Sequence, residues 1–120
     1  MKAGAVLLLV GMWLPAHSQV TRTIEGLVLS FGDKTPMAGI TVALPHPAGE
    51  DRITDAQGRF RLGVSATDTV YLTLRGVHYE KYIRYYPYET EKTFLIYEPN
   101  PRKRQRENRR IMRDWRKIKN

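Results

Sequence analysis

A chain of 120 residues, 42% hydrophobic and 27% charged, has room for one globular domain and a short extension, and is too apolar to be disordered throughout. It has no cysteine, which excludes a disulfide, a thiolate metal site and a cysteine nucleophile. The formal charge of +8 sits at one end: ten Lys or Arg residues lie between Pro99 and Asn120 against two acids, Glu107 and Asp114, and the residues before Pro99 are balanced.

Residues 1–18 read as a secretory signal peptide. Lys2 supplies the positive end, and Ala5 to Leu14 form an apolar core of about ten residues. Pro15 stops a helix there. Ala16 and Ser18 are small residues spaced for cleavage before Gln19. The competing reading, a transmembrane helix, needs about 20 apolar residues, and this run is shorter. A lipid anchor needs a cysteine after the cleavage site, where this chain has Gln19. The mature protein is therefore expected to be exported, without an anchor and without a membrane span.

Strand candidates follow in order. Residues 23–31 carry Ile24 and Val28 on one face and Leu27 and Leu29 on the other, which implies burial on both sides or a place at a sandwich edge. Gly32 to Pro36 form a turn. Ile40, Val42 and Leu44 then alternate with Thr41 and Ala43, a half-buried strand. Pro45 and Pro47 make the next residues a loop. In residues 54–62 the Asp55 side chain is placed to bond the backbone two residues on, and Gly58 supplies the positive φ of a tight hairpin turn, around which the runs on both sides are expected to pair. Phe60, Leu62 and Val64 then alternate with Arg59, Arg61 and Gly63. Val70, Leu72 and Leu74 repeat the pattern up to Gly76. Residues 79–86 form an aromatic strand and residues 93–97 the last one. With residues 52–54 leading into the turn at Asp55, these make about seven short strands with turn signals at intervals of about 8 to 12 residues, which indicates an antiparallel sandwich or barrel.

Four pieces of this pattern carry a family likeness. They are Ile24-Glu25-Gly26-Leu27-Val28, then Pro36-Met37-Ala38-Gly39-Ile40-Thr41-Val42, then Thr54-Asp55 with Gly58-Arg59-Phe60, and last Leu74-Arg75-Gly76-Val77-His78-Tyr79. Together they resemble the carboxypeptidase regulatory-like family over residues 23–86. The chain departs from the usual pattern at Met37, where the family has Leu, and at Val77-His78, which move the closing Tyr79 two places beyond Gly76. The resemblance implies an all-β, seven-stranded antiparallel Greek-key sandwich of transthyretin-like fold over residues 19–98; the basic helical tail expected over 99–120 is read from its own residues and is not explained by the resemblance. It implies a non-enzymatic module of the bacterial envelope, periplasmic, outer-membrane associated or secreted. The alternative is an accessory subunit of, or a fragment related to, a peptidase or outer-membrane receptor system.

Residues with catalytic potential are few. His17, His46 and His78 show no zinc-binding spacing, and neither Ser30 nor Ser65 sits in a nucleophile elbow. Glu50, Asp51 and Asp55 lack the ligand spacing of a calcium loop. No catalytic residue, cofactor or metal is expected. The candidates for an interaction surface are Tyr82, Arg84 and Tyr86 in the aromatic strand and Arg109, Arg110, Arg113, Trp115 and Arg116 in the tail. Residues 102–120 contain no Pro or Gly, and Ile111, Met112, Trp115 and Ile118 form one apolar stripe on a basic helix. Such a helix suits an envelope protein or an anionic membrane surface; its stripe equally suits the chain's own sandwich. Nucleic acid is not expected as the partner of an exported protein.

Overall fold

A computed structural model describes residues 20–44 and 51–119. The expected signal peptide with His17, Gln19, and residues 45–50 with His46, Glu50 and the loop expected from Pro45, lie outside the described residues. The strands are β1 (Thr21–Ser30), β2 (Thr41–Ala43), β3 (Arg52–Ile53), β4 (Arg59–Ser65), β5 (Val70–Gly76), β6 (Tyr79–Tyr85) and β7 (Glu91–Ile96), and one helix follows, α1 (Pro101–Lys119). They form a three-stranded sheet in the order β4-β1-β7 and a four-stranded sheet in the order β3-β2-β5-β6.

The core lies between the sheets and draws on both. Ile24, Val28, Phe60, Leu62, Phe94 and Ile96 come from the first, and Val42, Val70, Leu72, Leu74, Ile83 and Tyr85 from the second. Of the residues whose alternation in sequence marks a buried strand face, Val42, Phe60, Leu62, Val70 and Leu72 share this core, and Leu44, just past the end of β2, is half-buried at its rim. Gly26 of β1 leaves the space in which the Phe60 ring lies. Tyr85 is fully buried, and its hydroxyl crosses to the other sheet to donate to the Glu25 carbonyl at 2.6 Å. Burial first, then nearby carboxylates, push that hydroxyl's pKa upward and keep it neutral.

Two expectations need correction. The sheets are not wholly antiparallel: β7 runs parallel to β1, with Val28 opposite Phe94. A parallel pair needs a long crossover, and here the rest of the sandwich supplies it. Of the two placements open to β1, the structure has the one away from the edge: it is the middle strand of its sheet, with Leu27 and Leu29 half-buried on the outer face. Val77 and His78, between Gly76 and Tyr79, form the two-residue turn between β5 and β6. Gly76 pairs with Tyr79 across it, and His78 takes φ 52°.

The turn before β4 is built as its residues dictate, but it does not close the expected hairpin: β3 pairs with β2 and β4 with β1, in different sheets. Asp55 Oδ1 accepts from the Gln57 and Arg59 N–H groups, both at 2.9 Å, and the Asp55 carbonyl accepts from the Gly58 N–H at 2.9 Å. Gly58 has φ 76°, and a β-carbon there would sit 2.6 Å from the Val28 carbonyl oxygen. Gly58→Val is therefore expected to destabilise the domain through both backbone strain and collision, by about 2 kcal/mol or more. Phe60→Ala is expected to cost about 3–5 kcal/mol. Both are read by urea unfolding of the purified protein; a midpoint unchanged from wild type in either would contradict this account.

Candidate functional site

The helix α1 begins with a local signal. The Asn100 side-chain oxygen accepts from the Arg102 N–H at 3.0 Å, an N-cap, and Pro101 stands at the first helical position. At 1.5 Å per residue the helix is about 28 Å long. Its first turn has no acid and carries Arg102, Lys103 and Arg104, which the helix dipole disfavours. Its place must then be secured by tertiary contacts.

Those contacts lie along β6, an edge strand of the four-stranded sheet. Asn108 Oδ1 accepts from the Tyr82 N–H at 2.9 Å, and Asn108 Nδ2 donates to the Glu80 carbonyl at 3.1 Å. One side-chain amide thus takes the place of a neighbouring strand. On one side of it Asp114 pairs with Arg84, whose guanidinium also lies 5.0 Å from the centre of the Tyr86 ring. On the other, the Arg104 guanidinium sits 4.4 Å from the centre of the Tyr79 ring and 3.9 Å from the Glu98 carboxylate. Ile111, Met112 and Trp115 are half-buried and, with Tyr71, Thr73 and Tyr82, line the space between helix and sheet. Thr73 is only 6% exposed although it points away from the core. The last member of the apolar stripe, Ile118, stays 64% exposed.

Glu98 collects several donors. The Tyr79 hydroxyl donates to it, as does Lys81 at 3.2 Å. Burial would raise its pKa, but the hydrogen bonds from Tyr79 and Lys81 outweigh that and hold it below the ordinary carboxylate value. Burial, with the bond to Glu98 next, pushes Tyr79 upward.

The opposite side of α1 is a different surface. Arg102, Lys103, Arg106, Arg109, Arg110, Arg113, Arg116 and Lys117 are all exposed, and none of them is ion-paired among the described residues. Both acids of the helix, Glu107 and Asp114, are half-buried. Between this surface and β6 runs an open groove of about 730 Å³, lined by Tyr82, Gln105, Asn108, Arg109, Met112, Arg113 and Arg116.

Of the residues singled out from sequence, Tyr82, Arg109, Arg113 and Arg116 meet in this groove. Arg110 is exposed on the helix outside it, and Arg84 and Trp115 are engaged within the protein. Tyr86 stacks on Tyr88 at 5.8 Å. Gln105 and Asn108 escaped the sequence reading because nothing local marks a helical amide as facing a strand edge. His78 lies in the β5–β6 turn, and the Asp55 carboxylate is committed to its own turn. Among the described residues no cluster of three or more His, Asp or Glu is placed to hold a metal ion, and no helix is long and apolar enough to cross a membrane. No protein-family model matches the chain, and no curated protein matches it.

Two outcomes follow from this geometry. No residue of α1 belongs to the core cluster, so a chain lacking residues 101–119 is expected to keep its sandwich at a lower melting temperature. With the β6 edge uncovered, it should also associate as concentration rises, a change sedimentation velocity would detect. Glu98→Gln is expected to cost roughly 1–2 kcal/mol at neutral pH. Because the folded-state pKa of Glu98 is lowered, its contribution is present above the reference value of 4.5 and fades as pH falls through the folded value. The stability gap between wild type and variant should therefore close in acid; a gap independent of pH would contradict the assignment.

Proposed function

We propose that the protein is an exported, non-enzymatic binding or assembly module of the bacterial envelope, a transthyretin-like Greek-key sandwich that holds a cationic helix toward an anionic partner. The observation that carries this reading is the outward face of α1: eight exposed cations with no ion pair among the described residues, on a helix whose other side is anchored to the sandwich. Export rests on the signal-like pattern of residues 1–18. The absence of a zinc-binding histidine spacing or a serine elbow in the sequence favours binding over catalysis.

The anchoring of α1 sharpens the expected mode of attachment. A free amphipathic helix adds an apolar term to its charge attraction, but here Ile111, Met112 and Trp115 are half-buried against β5 and β6. Attachment then rests on charge. Each basic residue close to an anionic surface is worth about 1 kcal/mol, and that attraction decays over about 10 Å at 0.1 M salt and about 3 Å at 1 M. The mature protein is expected to sediment with an envelope fraction at low salt and to be released at high salt. A variant with Arg106, Arg110, Arg113 and Lys117 replaced by Gln should remain in the supernatant at both. Attachment that survives high salt, or that the neutralised variant retains, would overturn the proposal.

A further inference from the structure

We propose that the groove between α1 and β6 is a docking site for an extended acidic polypeptide segment of the partner. This rests on the cationic-attachment reading above and gives it a place and a ligand chemistry. Arg109, Arg113 and Arg116 stand at i, i+4 and i+7 and line one side of the groove, with Met112 beside them and Tyr82 from β6 opposite. The surface is therefore not a uniform cationic plane. It is a concave strip with a row of guanidinium groups and an apolar component, within the size range of about 300–1,000 Å³ typical of ligand sites.

The spacing suits carboxylates on an extended chain. Along the helix axis, Arg109 and Arg113 are about 6 Å apart, and Arg113 and Arg116 about 4.5 Å. Side chains on one side of an extended peptide recur at about 6.6–6.8 Å. Acids at alternate peptide positions thus fall opposite Arg109 and Arg113, and the long Arg116 side chain spans the mismatch to a third. Guanidinium groups bind carboxylates through two parallel hydrogen bonds, a recognition an ammonium group lacks. The free helix also gains from the exchange, since like charges at i, i+4 repel.

Two features favour a polypeptide over a bilayer. One wall of the groove is Tyr82 of the sheet, which a flat surface cannot reach together with the helical arginines, and Ile111, Met112 and Trp115, three of the four apolar residues an interfacial helix would insert, are half-buried against the sandwich, leaving Ile118 alone exposed. The docking is also not strand addition at this point, because Asn108 already bonds the Tyr82 N–H and the Glu80 carbonyl. Binding should accordingly depend on peptide charge and spacing more than on backbone register.

The test uses the mature full chain and a fluorescein-labelled peptide of alternating Glu and Ser, followed by anisotropy at low salt. Arg109→Glu/Arg113→Glu and Arg106→Glu/Arg110→Glu change net charge equally, but only the first pair lies in the groove. Reversal in the groove is expected to weaken binding roughly tenfold more than reversal outside it. Arg109→Gln/Arg113→Gln and Tyr82→Ala, the latter without any change of charge, should each weaken it as well. Circular dichroism checks that every variant keeps the wild-type fold, and the Gln pair and Tyr82→Ala carry the test if a reversed pair does not. Equal losses from the two reversed pairs would overturn the groove assignment in favour of charge spread over the face. So would binding to phosphatidylglycerol vesicles with no binding to the peptide. If the peptide fails while salt-sensitive envelope attachment persists, the groove falls and the functional proposal stands; if that attachment is also absent, both fall.

Discussion

The turn at residues 54–58 has to move the chain from one sheet to the other, and the sandwich depends on it. β3 belongs to the four-stranded sheet and β4 to the three-stranded one, with only five residues between them. The change of layer is held from both sides. The buried Thr54 hydroxyl donates to the Met37 carbonyl at 2.6 Å and accepts from the Ile40 N–H at 3.0 Å, while the Gly58 carbonyl accepts from the Val28 N–H at 2.7 Å. A residue with a side chain at position 58 would both resist the left-handed backbone and strike β1. Once this crossing is fixed, Phe60 falls into the space above Gly26 and the β4–β1 register follows.

The other side of the sandwich is closed by different means. There β6 and β7 are edge strands of separate sheets, and lysines bridge them: Lys81 donates to the Leu95 carbonyl at 2.9 Å and Lys92 to the Arg84 carbonyl at 3.1 Å. These side chains satisfy edge carbonyls and place charge on strands that would otherwise invite pairing with another chain. The helix completes the protection of β6 through Asn108. Edge protection and the candidate binding face are thus two sides of one element. The inward side of α1 answers the exposed backbone of β6, and the outward side is left with cations that have no counter-charge among the described residues.

That division explains how a helix with a poorly placed N-terminal charge is retained. Arg102 and Lys103 oppose the helix dipole, and the arginines at i, i+4 repel one another. The cap at Asn100, the two bonds of Asn108 and the pairing of Asp114 with Arg84 offset these costs. The unneutralised charge on the outward side, as counted among the described residues, adds nothing to the stability of the domain; it is the feature on which the proposed attachment rests. Fixing the arginines on a rigid sheet edge also lowers the entropy lost when they bind.

The sequence by itself determined the local features. Period-two alternation located the strands, Asp55 and Gly58 specified their turn, and the prolines near residue 100 separated the sandwich from a basic helix, because each of these signals rests on neighbours in the chain. It also showed that all of the excess charge lies in that helix. Only the tertiary structure decided which strands meet. The parallel pairing of β1 with β7 and the central place of β1 leave no local trace, since partners so far apart in sequence are chosen by the packing of the whole. The same holds for the arginines. Arg84 and Arg113 are indistinguishable as sequence signals, yet Arg84 is ion-paired with Asp114 and Arg113 lines an open groove. The difference is made by where α1 settles along β6, through bonds between an amide and a strand edge 26 residues earlier in the chain.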